Sequence, residues 1–371
     1  MEKKLGKNSI ILFIISCFIV GCYRSNNKDK IQTLRVYENI DKKKSSFSLD
    51  QIVNDKEIIS LETTENSLIS DVNVKFVTPQ YICLLDRNML VFFDHSGRYR
   101  FKLNAKGDGP SEYSSISNVF YNPNDSTIYI HDMFKNKILE YGLNGQFIAD
   151  FKIENIGSIT NLDNEHYAIC YSPYAKKDKL VGILDQFFQV ENEFISTNFN
   201  NETYTKKGYI LINDFLYTNR GLCIKPLFLD TVYQIYTNKI VPYFIIDKDK
   251  LNIPIDILSD ISQQKNFSKY ITNDYGFLIN NLYFMSFYYN NKFYQDIWNI
   301  DKGELLYRNI ASSVNDKYGV PIHINNEIIH VWPIFVNEYL VYCKIDEQDQ
   351  LPLKSSMEDN DILLKFTFSS N

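Results

Sequence analysis

Apolar and polar positions alternate along this chain with the period of two that marks β-strands, most clearly between Tyr81 and Ile153. A strand-turn-strand pattern occurs there twice. YICLLD leads into MLVFFDHSGRYRFKL, and TIYIHD leads into KILEYGLNGQFIADFKI. Tyr81 to Leu85 is apolar throughout, as in a strand buried on both faces. Beyond His95-Ser96-Gly97, the side chains of Tyr99, Phe101 and Leu103 fall on one side of the strand and Arg98, Arg100 and Lys102 on the other. Phe147, Ala149 and Phe151 repeat the pattern against Ile148, Asp150 and Lys152. Ser96-Gly97 and Asn144-Gly145 read as hairpin turns in which glycine takes a positive φ without steric cost. Gly97 and Gly145 lie about 48 residues apart, a repeat length typical of propeller blades. YICLLD is expected as a buried inner strand with half-exposed outer strands beyond it.

Six such units of roughly 50 residues fill the chain from Glu57 to Asn371. The expectation is an all-β fold: a six-bladed β-propeller of four-stranded antiparallel blades over residues 57–371. A single core seldom grows to this length, but blades pack only on their neighbours and escape that limit. Ile58, Ile59 and Leu61 at the start and Ile362 to Phe368 at the end are expected to share a terminal blade and close the ring. One helix is predicted, from Pro254 to Gln264, where proline suits a first turn and Ile257, Leu258 and Ile261 share a face.

The first residues follow a different pattern. Lys3, Lys4 and Lys7 precede an apolar run from Ile10 to Val20 that is too short to span a bilayer and suits a signal peptide. The run ends Ile-Val-Gly-Cys, which resembles a bacterial lipobox with Cys22 as the acylated residue. A plain secretory signal with an incidental cysteine is the alternative. Residues 1–21 are therefore assigned to a lipoprotein signal, and 22–56, polar and charged, to the acylated cysteine and a flexible tether. Tyr23-Arg24-Ser25-Asn26-Asn27-Lys28 lacks the acidic residues that surface-exported lipoproteins tend to carry there. This points to an anchor in the outer membrane facing the periplasm.

Composition narrows the picture further. Aromatic residues make up 15% of the chain, which favours β structure. The formal net charge is −6 and no basic cluster interleaves with aromatics, which argues against a nucleic-acid partner. Cys83, Cys170, Cys223 and Cys343 each sit in an apolar strand-like run of a different blade. Such strands are usually too far apart to bridge, so buried thiols are expected rather than disulfides.

Between the two copies lies GDGPSEY, Gly107 to Tyr113. It resembles the G-x-G-P-G-E-Y motif of the six-bladed β-propeller lipoproteins of Bacteroides and its relatives, with Ser111 where that family has a third glycine. LFLDTVYQIYTNKIVPYFIID, Leu227 to Asp247, resembles another stretch of the family, and DNDILLKFTF resembles its closing strand. The resemblance spans most of residues 31–371. It implies the propeller fold and an envelope location; it carries no activity and no catalytic residues.

Known catalytic signatures are absent. Gly107, Asp108, Gly109 and Pro110 read as a tight interblade turn, since Pro110 removes an amide donor and no G-K-[ST] follows. Glu112 and Tyr113 are the candidates for a ligand-binding face. Asp86 and Asp132 end matching strands, where they are either ordinary turn residues or ligands of a central Ca²⁺. The five histidines show no metal-pair spacing. No catalytic residue, metal ligand or cofactor is assigned. The leading functional expectation is a membrane-anchored, non-enzymatic binding or scaffolding module for a protein or glycan-derived ligand. The alternative is a propeller enzyme of hydrolase, lactonase or lyase type with a central divalent cation. Three or more carboxylate or amide oxygens around the axis would favour the enzyme, and an apolar or plugged axis the module.

Overall fold

A computed structural model describes residues 31–172, 175, 177–196, 215–218, 220–226, 229–254, 257, 261–313, 316–338, 340–350 and 359–368. Cys22, the signal segment and residues 255, 256 and 258–260 of the helix predicted over 254–264 lie outside the described residues. Ile261–Lys269 at the end of that stretch forms a 3-10 helix.

Three short strands open the described chain: β1 (Gln32–Arg35), β2 (Lys44–Ser45) and β3 (Val53–Ser60). Blade 1 follows as β4 (Val74–Val77), β5 (Ile82–Asp86), β6 (Met89–Phe93) and β7 (Tyr99–Leu103). Blade 2 holds β8 (Asn118–Asn122), β9 (Thr127–Asp132), β10 (Lys137–Gly142) and β11 (Phe147–Lys152). Blade 3 holds β12 (Ile156–Asn161), β13 (Tyr167–Tyr171), β14 (Lys179–Leu184) and β15 (Val190–Ser196). Blade 4 holds β16 (Phe215–Thr218), β17 (Gly221–Ile224), β18 (Thr231–Tyr236) and β19 (Lys239–Asp247). Blade 5 holds β20 (Thr272–Ile279), β21 (Leu282–Tyr289), β22 (Lys292–Asn299) and β23 (Glu304–Ala311). Blade 6 holds β24 (Val320–Ile324), β25 (Glu327–Val336), β26 (Leu340–Ile345) and β27 (Ile362–Phe368). The fold is the expected six-bladed β-propeller, with blades of four or five strands.

Within each of the first five blades the strands run outward in chain order. YICLLD is therefore not an innermost strand. It forms β5, the second strand, and the shorter β4 lies between it and the axis. The turns at Gly97 (φ 84°) and Gly145 (φ 78°) hold the left-handed backbone that the pattern requires. In β7 the alternation survives as half-buried Tyr99 and Phe101 between exposed Arg100 and Lys102. Clusters such as that of Leu90, Phe92, Tyr113, Ile128, Ile130 and Tyr141 fill the space between neighbouring blades. The four cysteines are free thiols buried in β5, β13, β17 and β26.

From Gln32 onward, the stretch expected to be a tether up to residue 56 forms paired strands. β1 pairs in parallel with β19 on the edge of blade 4, and β2 pairs with β23 on the edge of blade 5. β3 pairs antiparallel with β27 as the outermost strand of blade 6. The stretch from Gln32 to Ser60 is thus a belt around the rim of three consecutive blades. Its polar residues disguise it, because an edge strand buries one side at most. The expected sharing of the terminal blade by β3 and β27 holds, with Ile58 opposite Leu364.

Candidate functional site

GDGPSEY connects blade 1 to blade 2 and is a clasp. Glu112 folds back so that its Oε2 accepts from Gly109 N at 2.8 Å. A Cβ on Gly107 would collide with that carboxylate, so Gly107 is required by close approach. Neither Gly107 nor Gly109 takes up the left-handed backbone. Blade 2 grips the loop through four carbonyls: Lys135 Nζ donates to Gly107 O (2.6 Å) and Glu112 O (3.3 Å), Lys137 Nζ to Pro110 O (2.7 Å) and Tyr141 OH to Ser111 O (2.7 Å). Asp108 and Pro110 are exposed at its tip. Tyr113, a candidate for the ligand face, is instead wholly buried, and its hydroxyl donates to Asn88 O at 2.8 Å. Burial pushes its phenol up to about 12.

Asp86 and Asp132 are also internal fastenings. Asp86 accepts from the backbone N–H and hydroxyl of Ser70. Asp132 accepts from Ser114 N (2.6 Å), Phe134 N (3.0 Å) and Lys135 N (3.1 Å). Burial raises the Asp132 carboxyl, but the hydrogen bonds from Ser114 and neighbouring amides outweigh this and hold it below its ordinary range. Both aspartates end second strands, one strand away from the axis, and both are buried. Their turn-residue reading is the one the geometry supports.

The axis is occupied by a cavity of about 260 Å³ to which every blade contributes. Blades 1 to 3 supply Asn73, Val74, Lys75, Asn118, Val119, Ile159 and Thr160; blades 4 to 6 supply Phe215, Leu216, Gly276, Phe277, Ile334, Phe335 and Val336. The wall is therefore divided. One half carries two amides, a hydroxyl and an ammonium group. The other is aliphatic and aromatic, with one phenylalanine from each of blades 4, 5 and 6. Gly276 is needed for packing against β21, because a Cβ there would strike the Phe284 carbonyl and the Tyr283 ring. Asn73 is exposed where β4 begins and marks one mouth. Asn118 Oδ1 and Thr160 Oγ1 are buried without a hydrogen-bond partner among the described residues. His131, directly across the sheet from Asn118, likewise has no partner for Nδ1.

These lining residues escaped sequence reading because the innermost strands are short and irregular. The signal was present in register: Asn73 and Asn118 are polar residues placed at or just before the first residue of successive inner strands. The wall does not fit a divalent cation. Its donor set has no carboxylate among the described residues and places Lys75 beside the amides. Among the described residues no three His, Cys, Asp or Glu side chains cluster as a metal site. His323 and His330 are each engaged by a carboxylate, Asp50 at 2.7 Å and Asp349 at 2.9 Å. A second, more apolar cavity of about 410 Å³ lies between blades 2 and 3 and is lined by Met133, Phe134, Asn136, Asn155 and Ile156.

A family model covers residues 31–367, nearly all of the described chain. The chain belongs to DUF4934, a domain family of unknown function. That match begins at the belt and so includes the residues expected to be a tether. The DUF4934 chain is similar in structure to a Bacteroides fragilis protein assigned as exported, with a TM-score of 0.68 and 19% identity over 92% of this chain and 100% of that one. It also resembles a DUF4221 family member from Bacteroides vulgatus, with a TM-score of 0.53 and 11% identity over 88% of this chain and 99% of that one. No curated protein matches it. Both likenesses establish the fold. Among the described residues of the DUF4934 chain no helix is long and apolar enough to cross a membrane.

Proposed function

We propose that this DUF4934 protein is a non-enzymatic binding module of the cell envelope. In this reading Cys22 is acylated and anchors it in the outer membrane facing the periplasm, and the axial cavity takes up a small glycan-derived ligand. The observation that carries the reading is the divided wall of the cavity. Polar side chains facing phenylalanines can hold and orient a ligand that has one polar and one apolar side. Among the described residues the wall offers no pair of titratable groups placed as acid and base. Asp86, Asp132 and Glu112, the carboxylates first suspected of chemistry, are committed to holding turns. The reading as an enzyme with a central divalent cation finds no carboxylate ligand among the described residues of the wall.

Two experiments test the proposal. Native mass spectrometry of protein extracted from the envelope in mild detergent should find a small molecule retained by the intact disc. Turnover of lactone, ester or glycoside substrates by the same preparation would overturn the non-enzymatic reading. Cys22→Ala should move the protein from the membrane pellet to the soluble fraction; retention equal to wild type would remove the lipid anchor from the proposal. Acylation by two or three chains would hold firmly, at about 0.8 kcal/mol per buried methylene.

A further inference from the structure

We infer that the surface where the belt turns over blades 4 and 5 rests on the anionic headgroup layer of the membrane. The inference rests on the reading of Cys22 as a lipid anchor and gives the anchored disc an orientation.

Four separate pieces of chain build this surface. The belt contributes the 3-10 helix Tyr37–Asn39 and the residues after it, and the loop after blade 4 contributes a second, Asp249–Leu251. Lys250 Nζ joins the two, 4.6 Å from the centre of the Tyr37 ring. Ile271 N donates to Leu251 O at 2.8 Å, and Thr272, the next residue, faces Tyr288 across the sheet. The tip of the β21–β22 hairpin is tied in turn to the 3-10 helix Ile261–Lys269, Asn290 N donating to Ser268 O at 2.7 Å.

The sign of the charge is reversed here. The whole chain carries a formal net charge of −6. This surface exposes Lys42, Lys43, Lys250, Lys265, Lys269 and Lys292. Asp41, Asp247 and Asp249 stand against these six. Asp230 and Asp274 are taken up by Lys225 and Lys248, and Glu38 by Arg35. Aromatic rings lie among the cations. Tyr288 is 47% exposed and packs on half-buried Phe293 with ring centres 4.9 Å apart, and Tyr37 and Tyr289 are half-buried. Tyrosine mixed with lysine suits a membrane interface, where rings sit at headgroup depth and ammonium groups reach phosphates. The cations are spread over a belt turn, two helices and a hairpin tip, a layout that matches a charged sheet better than a single polyanionic chain.

Reach agrees with this placement. Ten residues separate Cys22 from Gln32, a span of at most about 35 Å. From Gln32 the chain follows β1 to Tyr37, no more than about 17 Å further. A bilayer that holds the acyl chains is therefore within reach of this surface, and the tether raises the effective concentration of one for the other.

Co-sedimentation with vesicles tests the surface without the anchor. The protein is the mature chain, residues 22–371, carrying Cys22→Ala. The probes are phosphatidylcholine vesicles with and without phosphatidylglycerol. The protein should pellet with the anionic vesicles, stay in solution with phosphatidylcholine alone, and be released by high salt. A lysine near an anionic surface changes partition by about fivefold. Lys250→Gln with Lys292→Gln should therefore weaken binding at least tenfold, and Tyr288→Ser should weaken it less. Lys102→Gln with Lys302→Gln, on the outer strand of blade 1 and beyond the other end of β22, should leave it unchanged. All five side chains are exposed, and thermal melts matching the parent chain show that the variants fold. Equal binding to the two kinds of vesicle overturns the inference, and so do equal losses from the two lysine pairs. Capture by soluble alginate with none by anionic vesicles overturns it as well. The intact mass of wild type extracted from the envelope reads acylation of Cys22 separately, so failure of this surface and failure of the anchor are told apart.

Discussion

At the scale of single residues, the glycine at the head of the clasp can be tested through its partner. Gly107→Ala would push the Glu112 carboxylate off Gly109 N, where it sits at 2.8 Å. The loss of one charge-assisted hydrogen bond should cost about 1–2 kcal/mol in urea unfolding. In a Glu112→Ala background the same glycine change should cost almost nothing, a coupling that a double-mutant cycle reads directly. His131 gives a pH-dependent counterpart. Burial holds its imidazole down at about 4, with the charge of Asp132 a smaller opposing pull. The unfolded side chain titrates near 6.5. Between those values the unfolded state binds the proton and the folded state does not, so stability falls as pH falls through that window, by about 3 kcal/mol in full. In urea unfolding, wild type should lose about 3 kcal/mol relative to His131→Asn as the pH is lowered through that window. His166 runs in the opposite sense: burial lowers its pKa, but its bond to Asp163 and the charges of Asp163 and Glu191 raise it on balance. The difference between the two proteins therefore isolates His131.

At the scale of elements, a buried ion pair adds to the strand pairings that hold the belt. Arg308 and Asp296 pair on β23 and β22, and Arg308 Nη1 donates to the carbonyls of Asn39 and Ile40 in the belt. Arg308→Met leaves Asp296 buried and unpaired and should cost about 3–5 kcal/mol. The double change Arg308→Met with Asp296→Leu should recover much of that in thermal melts, while the belt, still lacking its donor, becomes more open to hydrogen exchange at residues 39–42. None of this was legible in the sequence. Hairpins at Gly97 and Gly145 could be read because turn and strands are adjacent in the chain. The belt strands pair with residues far away, and nothing local in Gln32–Arg35 names β19 as its partner. The axial residues were hidden for a related reason: Lys75 and Thr160 line one cavity from different blades, and only the closed ring brings them to it. Asp86 and Tyr113 looked like site residues because strand ends and conspicuous motifs attract attention equally when they fasten a turn and when they hold a ligand.

At the scale of the molecule, closure depends on β3 completing blade 6 against β27. A chain ending before Asp361 would lose β27 and leave β3 and β26 with open edges. It should fail to show a cooperative melt and should collect in the insoluble fraction; a stably folded product would contradict the closure. The propeller architecture was readable from two adjoining copies of the strand and turn pattern, and the chain length together with the family resemblance gave the number six. The start of the domain was not, because the belt belongs to no repeat.

The belt also sets an order in time. Its three strands leave the ribosome before any blade, yet their partners β19, β23 and β27 lie in the second half of the chain. Blades 1 to 3 can form as they appear; blade 4 is completed by β1 once β19 is out, blade 5 by β2 once β23 is out, and blade 6 by β3 only when β27, the last strand, arrives. Pairings this distant in sequence are slow to form. A nascent or translocating chain would therefore remain incomplete at its rim until its final residues are through, and the ring would shut from both ends at once.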